Sequence, residues 1–508
     1  MLDKSTSTRV IKNTIFLYIR MGVSIVVSVF TTRILLSALG ASDYGLYNVV
    51  AGALAMTGFL SASLSTSTQR FISYAEGEGE ASKIKEIVNT SVILHWIMAL
   101  SVGSLFIICG FIFFNGILNI PEGRELTAIL VYGCLIVSTV FSITVVPYEA
   151  LLNAHENMLY YSILGIMDVL FKLFIAIVVS YSSWDRLLFY GLLMAAEAFL
   201  LCLITKRYCL RHYSESHNIS LKRIPNKEQL LTMTSFAGWN MLNIGSGMIS
   251  LYGMNIVINH FFGTILNAAV GIANQLAGVL LGVSNNMTRA LTPVLVKSEG
   301  SKKREQMLKI TYIGSKFTFL LYSFFCIPVL FYTPTLLEIW LKEVPEWTIL
   351  FTRLMILFSL IDQMFVFLYQ TIQAQGDIRN YNIIHSIVNI LPIPLGIFQY
   401  YLGWAPYWII IDQIVFRVTV GGLINLYYAK RNAGLSIKRW IVDVLAPCFS
   451  TVAVTCIIGL GISVWGNASL LQQLIKLFSL FVLSIPVYWF LSITPSEKSL
   501  IISKLRKK

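Results

Sequence analysis

Charge is what this chain has least of. Its 508 residues include only 38 Lys+Arg and 25 Asp+Glu, so charged side chains reach just 12%, about half the share of a soluble domain. A soluble chain of this length would fold as roughly three domains, each needing a far more charged surface. That class is excluded. The seven cysteines (Cys109, Cys134, Cys202, Cys209, Cys326, Cys448, Cys456) show no paired spacing, and six lie inside apolar runs. A disulfide framework or a zinc site is not expected. The six histidines form no His-x-x-x-His pair, and neither a P-loop nor a dinucleotide fingerprint is present. ATP hydrolysis and redox chemistry thus have no candidate residues, no metal is assigned, and no enzyme is expected. Disorder fails because the chain is 13% aromatic. No cleavable signal peptide is read: the first apolar run is too long, carries Arg20 and Arg33, and fits a retained span.

What the chain has is apolar length, with 56% apolar residues. A span needs about 20 mostly apolar residues to cross a hydrocarbon core roughly 30 Å thick. Fourteen such runs lie near 13–36, 44–66, 88–114, 126–152, 159–181, 186–205, 231–259, 265–291, 310–332, 349–371, 382–402, 407–428, 441–464 and 470–493. The expected fold is all-α, a polytopic membrane protein of about 14 transmembrane helices. An even count puts both termini on one side. The loops on that side hold Lys206, Arg207, Arg211, Lys222, Arg223, Lys227, Lys297, Lys302, Lys303, Arg304, Lys309, Lys430, Arg431, Lys438 and Arg439. The tail adds Lys504, Arg506, Lys507 and Lys508, against little more than Arg124, Arg186 and Lys342 opposite. The positive-inside bias makes both termini cytoplasmic. The net charge of +13 is then an orientation signal beside membrane lipids, and nucleic acid is not an expected partner.

The two halves repeat. Leu39-Gly40-Ala41-Ser42 corresponds to Phe262-Gly263-Thr264-Ile265, Thr68-Gln69-Arg70 to Met287-Thr288-Arg289, and Asn153-Ala154-His155-Glu156 to Gln373-Ala374-Gln375-Gly376. All fall about 220 residues apart, across six spans, which makes the repeat parallel. The expected organisation is a six-helix lobe at 1–206, a basic cytoplasmic linker at 207–230, a second six-helix lobe at 231–430, and two further helices with a basic tail at 431–508.

Intramembrane charge costs about 2.5–3.5 kcal/mol per residue at a helix centre, so each instance asks for a reason. Helical spacing puts Asn13, Arg20, Ser24 and Thr31 on nearly one face of the first span. In the eighth span Asn267, Gly271, Asn274, Gln275, Gly278, Gly282, Asn285 and Arg289 form a polar, small-residue stripe, and the seventh adds Asn240, Asn243, Gly247 and Ser250. Small residues also serve close helix packing, and Asn or Gln bond across helices. A water-filled cleft with cations facing it accounts for Arg20 and Arg289 as well. Asp168 and Lys172 stand at i and i+4, the spacing of a structural ion pair. Asp362, beside Tyr369, Gln370 and Gln373, and Asp412 with Arg417 are embedded, as are Glu149, Glu197, Lys316 and Lys476. One or more of the acids is a candidate site for a coupling ion. Outer loops stay under about 16 residues and cytoplasmic ones reach about 25, too short to form a polymerase or transferase active-site domain. A transporter is the expectation.

The stretch Arg33-Ile34-Leu35-Leu36-Ser37-Ala38-Leu39-Gly40-Ala41-Ser42-Asp43-Tyr44-Gly45-Leu46-Tyr47, with Thr68-Gln69-Arg70-Phe71-Ile72 and Leu151-Leu152-Asn153-Ala154, resembles the polysaccharide and O-antigen repeat-unit flippases. These belong to the polysaccharide transporter family of the multidrug/oligosaccharidyl-lipid/polysaccharide (MOP) exporter superfamily. The resemblance covers essentially the whole chain in span count, loop length and basic linker. It implies a bacterial inner-membrane protein that moves undecaprenyl-diphosphate-linked oligosaccharide from the cytoplasmic to the periplasmic leaflet. The cargo would be a repeat unit of lipopolysaccharide O-antigen, capsule or exopolysaccharide. It also implies two six-helix lobes around a cationic cavity that opens to each side in turn. Arg20 is carried over as the first-helix cavity arginine, and Arg289 as the cation of the second lobe. No bound cofactor is implied beyond H+ or Na+ as coupling ion, and a polysaccharide polymerase is an expected assembly partner. Lipid II flippases share the fourteen-span plan and are the alternative. A cation-coupled multidrug antiporter, usually of twelve spans, is a more distant one.

Overall fold

Hydrocarbon offers no hydrogen-bond partners, so long apolar runs must satisfy their backbone internally, and runs of this length do so as helices. The computed structural model describes residues 4–55, 58–114, 123–217, 219, 226–341, 343–464, 469–495 and 497–499. Lys222, Arg223, Lys342 and the terminal Lys504, Arg506, Lys507 and Lys508 lie outside them. Among the described residues all regular structure is helical, and twelve helices are long and apolar enough to cross a membrane. The order begins α1 (Lys4–Ala55), α2 (Gly58–Glu78), α3 (Ala81–Ile112), α4 (Glu125–Ala154), α5 (Met158–Ser180) and α6 (Arg186–His212). It continues through α7 (Lys227–Gly300), α8 (Arg304–Phe331), α9 (Thr333–Leu341), α10 (Thr348–Gln375), α11 (Arg379–Ile390) and α12 (Pro392–Tyr401). It closes with α13 (Trp408–Asp412), α14 (Gly421–Ala433), α15 (Ile437–Trp440), α16 (Ala446–Ser463) and α17 (Leu470–Val487).

The count of spans differs from the sequence expectation for physical reasons. At 74 residues, α7 would run about 110 Å at 1.5 Å per residue, far longer than one crossing. It bends at Gly263 (φ 82°, ψ −175°) and so joins the two runs expected at 231–259 and 265–291. α1 bends in the same way at Gly40 (φ 76°, ψ 167°). The run expected at 44–66 continues into α2, whose Ser61, Ser63, Ser65, Thr66, Ser67 and Thr68 leave it too polar to count as a span by itself. The run at 382–402 remains one span, Arg379–Tyr401, with its helix interrupted at Pro392, which lacks the N–H that would continue the bonding. The run at 407–428 contains a wider, π-helical stretch, Gln413–Val420.

Backbone punctuation repeats along the chain. Eight residues with positive φ fall in pairs about 220 residues apart, a spacing that reflects an internal repeat: Gly40 with Gly263, Gly79 with Lys302, Gly123 with Trp347, and Glu156 with Gly376. Each pair occupies the left-handed region of φ, which glycine enters freely and other residues only at a cost.

The described residues divide into two compact units: an N-terminal unit that runs to Ile244 and includes Val296–Lys303, and a C-terminal unit of Gly245–Leu295 and the described residues from Arg304 onward. In the N-terminal unit one core gathers Leu35, Val50, Phe106, Val131 and Tyr190, and a second gathers Ile72, Val88, Leu151, Leu152, Cys209 and Met233. The C-terminal unit is built on α8 and α10, with Tyr322, Phe351, Phe367 and Tyr381 fully buried.

Charge is gathered at the two ends of the N-terminal helices. Where α4 begins, Arg124 forks onto Asp43, its Nε 3.0 Å from Oδ1, and reaches Asp185 at 2.6 Å. Asp185 also caps α6 by accepting from the Leu187 and Leu188 N–H groups. Where α4 meets α5, the Glu156 carboxylate is enclosed by Arg9 at 2.7 Å and Lys297 at 3.1 Å. Lys297 bridges on to Glu76 at 2.8 Å, and His155 lies 3.3 Å from Glu76 and 3.7 Å from Glu215. Ser301 adds a hydrogen bond from Oγ to the Gly77 carbonyl at 2.8 Å.

Burial alone would raise the Glu76 carboxyl. Hydrogen bonds from His155 and Lys297, with the Lys297 charge, outweigh it and hold the group below its ordinary 4.5. A carboxyl depressed in the folded state contributes stability above its ordinary value and loses it as pH falls through the depressed one. Thermal melting of the detergent-solubilised chain should therefore show an acid-dependent fall below about pH 4.5 that Glu76→Gln flattens. Glu156→Ala, which strips a buried carboxylate from two cations, should cost about 3 kcal/mol at neutral pH. A melting curve for Glu76→Gln with the wild-type acid dependence would show that this pairing contributes nothing.

Candidate functional site

The first helix carries its polar residues against α5. Asn13 is buried, and its Nδ2 donates to the Glu156 carbonyl at 2.9 Å. With Arg9 on the Glu156 carboxylate, this fixes the register of α1 about two and three turns before Arg20. Leu17 is fully buried between them. Arg20 is half-buried. Its guanidinium carbon stands 4.7 Å from the centre of the Tyr161 ring, and the side chain crosses Gly165 closely enough that a Cβ there would meet its Nε. Ser24 and Thr31 follow on the same helix, half-buried, with the Thr31 hydroxyl donating to the Val27 carbonyl.

The part of α7 after Gly263 exposes a line of polar and small residues, with Ile265 and Val279 exposed beside it. Gly271, Gln275, Gly278, Asn285 and Arg289 are exposed, with Asn267, Asn274 and Gly282 half-buried beside them. At about 100° per residue the line from Gly271 to Arg289 stays within roughly 40° of one meridian. The opposite face, Ala269, Val270, Ala273, Ala277, Leu280, Ser284 and Leu291, is buried. Ser284 fastens that face by donating to the Thr318 carbonyl on α8 at 3.2 Å and to Gln363 on α10. Apolar side in and polar side out is the pattern of a helix whose free face meets water or a polar ligand, since hydrocarbon would penalise each exposed amide and cation. The earlier part of α7 is different. Asn240, Asn243, Ser246 and Ser250 are all buried, and Asn389 Nδ2 donates to Ser246 Oγ at 3.0 Å. The structure thus brings Asn274, Gln275, Asn285 and Arg289 to an open face and places Asn240 and Asn243 inside the packing.

Several of the other embedded charges have close polar or charged neighbours. Lys172 Nζ lies 2.7 Å from Asp168 Oδ1, each side chain about a third exposed. Buried Glu197 of α6 adjoins Asp168, giving a cluster of two acids and one base. Arg417 projects from the π-helical stretch, 5.3 Å from the Phe358 ring, past Gly247 and within electrostatic range of Asp362. Asp412 is buried and accepts from Gln399 Nε2 at 3.2 Å. Lys316 is held by both carboxylate oxygens of Glu497 at 2.7 Å.

Three contributors escaped the reading of the sequence. Gly165 gave no signal there, because a lone glycine in an apolar run reads as packing. Glu156 stands out in the sequence only as part of a repeat. Glu497 lies beyond the last span, although the Thr494-x-x-Glu497 spacing is that of a capping box. The structure shows that box: Thr494 N–H donates to Glu497 at 2.8 Å and Glu497 N–H to Thr494 Oγ1 at 3.4 Å.

The α5 pair yields a direct test. Lys172→Met leaves Asp168 and Glu197 together without a cation and should cost about 3 kcal/mol of stability. Combining it with Asp168→Leu should restore the melting temperature and most of the transport. A well-folded but inactive double variant would place the pair in the transport cycle.

Residues 240–398 match the MatE family. No curated protein matches the sequence. Solved structures share its fold at low identity. One, a MATE protein in complex with MaD3S, superposes with a TM-score of 0.72 at 14% identity over 84% of this chain and 96% of its own. The outward-facing conformation of a multidrug resistance MATE family transporter of the MOP superfamily gives 0.70 at 13% identity over 83% and 96%. A MOP superfamily transporter from Pyrococcus furiosus Vc1, described as having a binding pocket of reverse polarity that suggests a different function, gives 0.68 at 14% over 83% and 96%. The chain is a polytopic membrane protein with the fold of the MATE transporters of the MOP superfamily.

Proposed function

We propose that the chain is a flippase for undecaprenyl-diphosphate-linked oligosaccharide, working by alternating access from the cytoplasmic to the periplasmic leaflet of a bacterial inner membrane. The observation that carries this reading is the exposed polar face of α7, running from Gly271 to Arg289 with its apolar side buried. A helix that turns amides and an arginine outward fits a charged, sugar-bearing cargo. A diphosphate cannot cross hydrocarbon bare, and one cation at about 4 Å contributes roughly 4 kcal/mol at an effective dielectric near 20. Arginine adds a fork that matches phosphate oxygens, which fits Arg20 and Arg289. Asn274, Gln275 and Asn285 supply donors and acceptors for sugar hydroxyls, while the polyprenyl tail stays in lipid. Chemistry is left to other proteins, with a polysaccharide polymerase as a downstream partner. H+ or Na+ is the coupling ion in this reading, and Glu197, Asp362 and Asp412 are its candidate carriers.

A lipid II flippase uses the same diphosphate chemistry and is the nearest alternative. Export of drugs is the second reading, favoured by the likeness to a multidrug resistance MATE transporter. The Pyrococcus furiosus relative, described as having a pocket of reverse polarity, illustrates how pocket charge separates functions on this fold. Cationic drugs would call for an acidic surface, and the exposed face of α7 ends in a cation.

Expression in a strain lacking its own repeat-unit flippase tests the proposal, with surface polysaccharide as the readout. Arg20→Ala and Arg289→Ala should each abolish export at near-normal protein level, whereas the Lys variants should retain part of it. Normal export by both Ala variants overturns the phosphate contact. Drug resistance gained without glycan export favours the second reading. Rescue of lipid II transport alone favours the first alternative.

Orientation is tested separately. A cysteine placed at exposed Lys303 should react only with reagent supplied from the cytoplasm. Labelling from outside would invert the direction of transport proposed here.

A further inference from the structure

We propose that Gly165 and Tyr161 are positioning residues that seat the Arg20 guanidinium. The proposal rests on the reading of Arg20 as a phosphate contact and names what aims it. A glycine in the middle of a helix as long as α5 (Met158–Ser180) is unfavourable and asks for a reason, since only proline is a poorer helix former. The reason lies across the helix pair. A Cβ on Gly165 would fall onto the Nε, Cζ and Cδ atoms of Arg20, closer than side chains approach. One turn earlier on α5, buried Tyr161 offers its ring to the same guanidinium at 4.7 Å. The gap and the ring together define a slot that a flat guanidinium fills, with cation–π attraction on one side.

The backbone on either side of the slot is fixed. Arg9 pairs with the Glu156 carboxylate, Asn13 donates to the Glu156 carbonyl, and Leu17 is buried. The α1 backbone therefore cannot slide to relieve a crowded Arg20. The atoms that Gly165 makes room for belong to the far end of a flexible side chain, not to backbone. A methyl group at 165 is accommodated by rotation of Arg20 out of its seat while the helices stay packed. Gly165 thus acts on where the charge points, and the fold does not depend on it.

The experiment measures binding of undecaprenyl diphosphate to the detergent-solubilised full chain, together with the melting temperature. Gly165→Ala should weaken binding roughly ten- to a hundredfold, the size of a lost charge-assisted contact, with melting unchanged or slightly lowered. Arg20→Ala should weaken it comparably. In the Arg20→Ala background, Gly165→Ala should weaken binding no further and should raise the melting temperature, because alanine favours the helix once the clash is gone. Tyr161→Phe keeps the ring and should bind as wild type; Tyr161→Leu should weaken binding and serves if Gly165→Ala folds poorly. Losses that multiply in the double variant, or normal binding by Gly165→Ala and Tyr161→Leu beside weak binding by Arg20→Ala, overturn the seat while leaving the arginine contact in place. Normal binding by Arg20→Ala overturns both.

Discussion

The constraint from which the rest follows is that hydrocarbon satisfies no polar group. In water a stray amide or arginine on a helix surface is unremarkable. Across a membrane each one must be paired, buried among partners, or turned toward water. The embedded charges separate along these lines. Lys316 is paired with Glu497 and Lys172 with Asp168, so these charges are offset, while buried Asp412 accepts one hydrogen bond from Gln399. Gln275, Asn285 and Arg289 sit on the open face of α7. The same residue class thus has two placements, one inside the packing and one on an exposed helix face.

The open face of α7 depends on how firmly its other side is held. Ala269, Ala273 and Ala277 permit close approach, and Ser284 ties the helix to both α8 and α10. The equivalent work for α1 is done at Glu156. Its backbone carbonyl takes Asn13, its carboxylate takes Arg9 and Lys297, and its own φ of 57° turns the chain between α4 and α5. One residue thereby sets a helix register and gathers two cations. An arginine two turns further along α1 inherits its position from that anchor.

Most of the helices and the all-α class were legible in the sequence, because apolar length is a one-dimensional property. The run read at 159–181 became Met158–Ser180, and the run at 126–152 became Glu125–Ala154. The stripe in the eighth run was legible for the same reason: a period near 3.6 survives without knowledge of neighbours. What failed to show depended on a second element. Asn240 and Asn243 have the same spacing as the exposed stripe yet are buried, and the difference lies in what packs on them. Gly165 is informative only once Arg20 is seen across from it. Glu497 closes on Lys316 from far along the chain.

The repeat shows which level of structure is shared and which is free to diverge. Gly40 and Gly263 bend their helices through the same backbone conformation, and Glu156 and Gly376 turn theirs with different side chains. A bend or turn is needed wherever the helix must reverse, so its φ repeats. The chemistry around it does not. Beside Gly123, Arg124 gathers the carboxylates of Asp43 and Asp185. The corresponding Trp347 stacks with Phe351 and meets Tyr407 at a tilt, and Tyr407 stacks with Trp408. An ionic knot and an aromatic one can each close the end of a helix bundle, because both satisfy the same steric frame. The backbone alone therefore does not decide what such a protein carries. The halves differ in their side chains, and Arg20, which crosses Gly165, is one such difference: at the offset relating Gly40 to Gly263 its counterpart is Asn243.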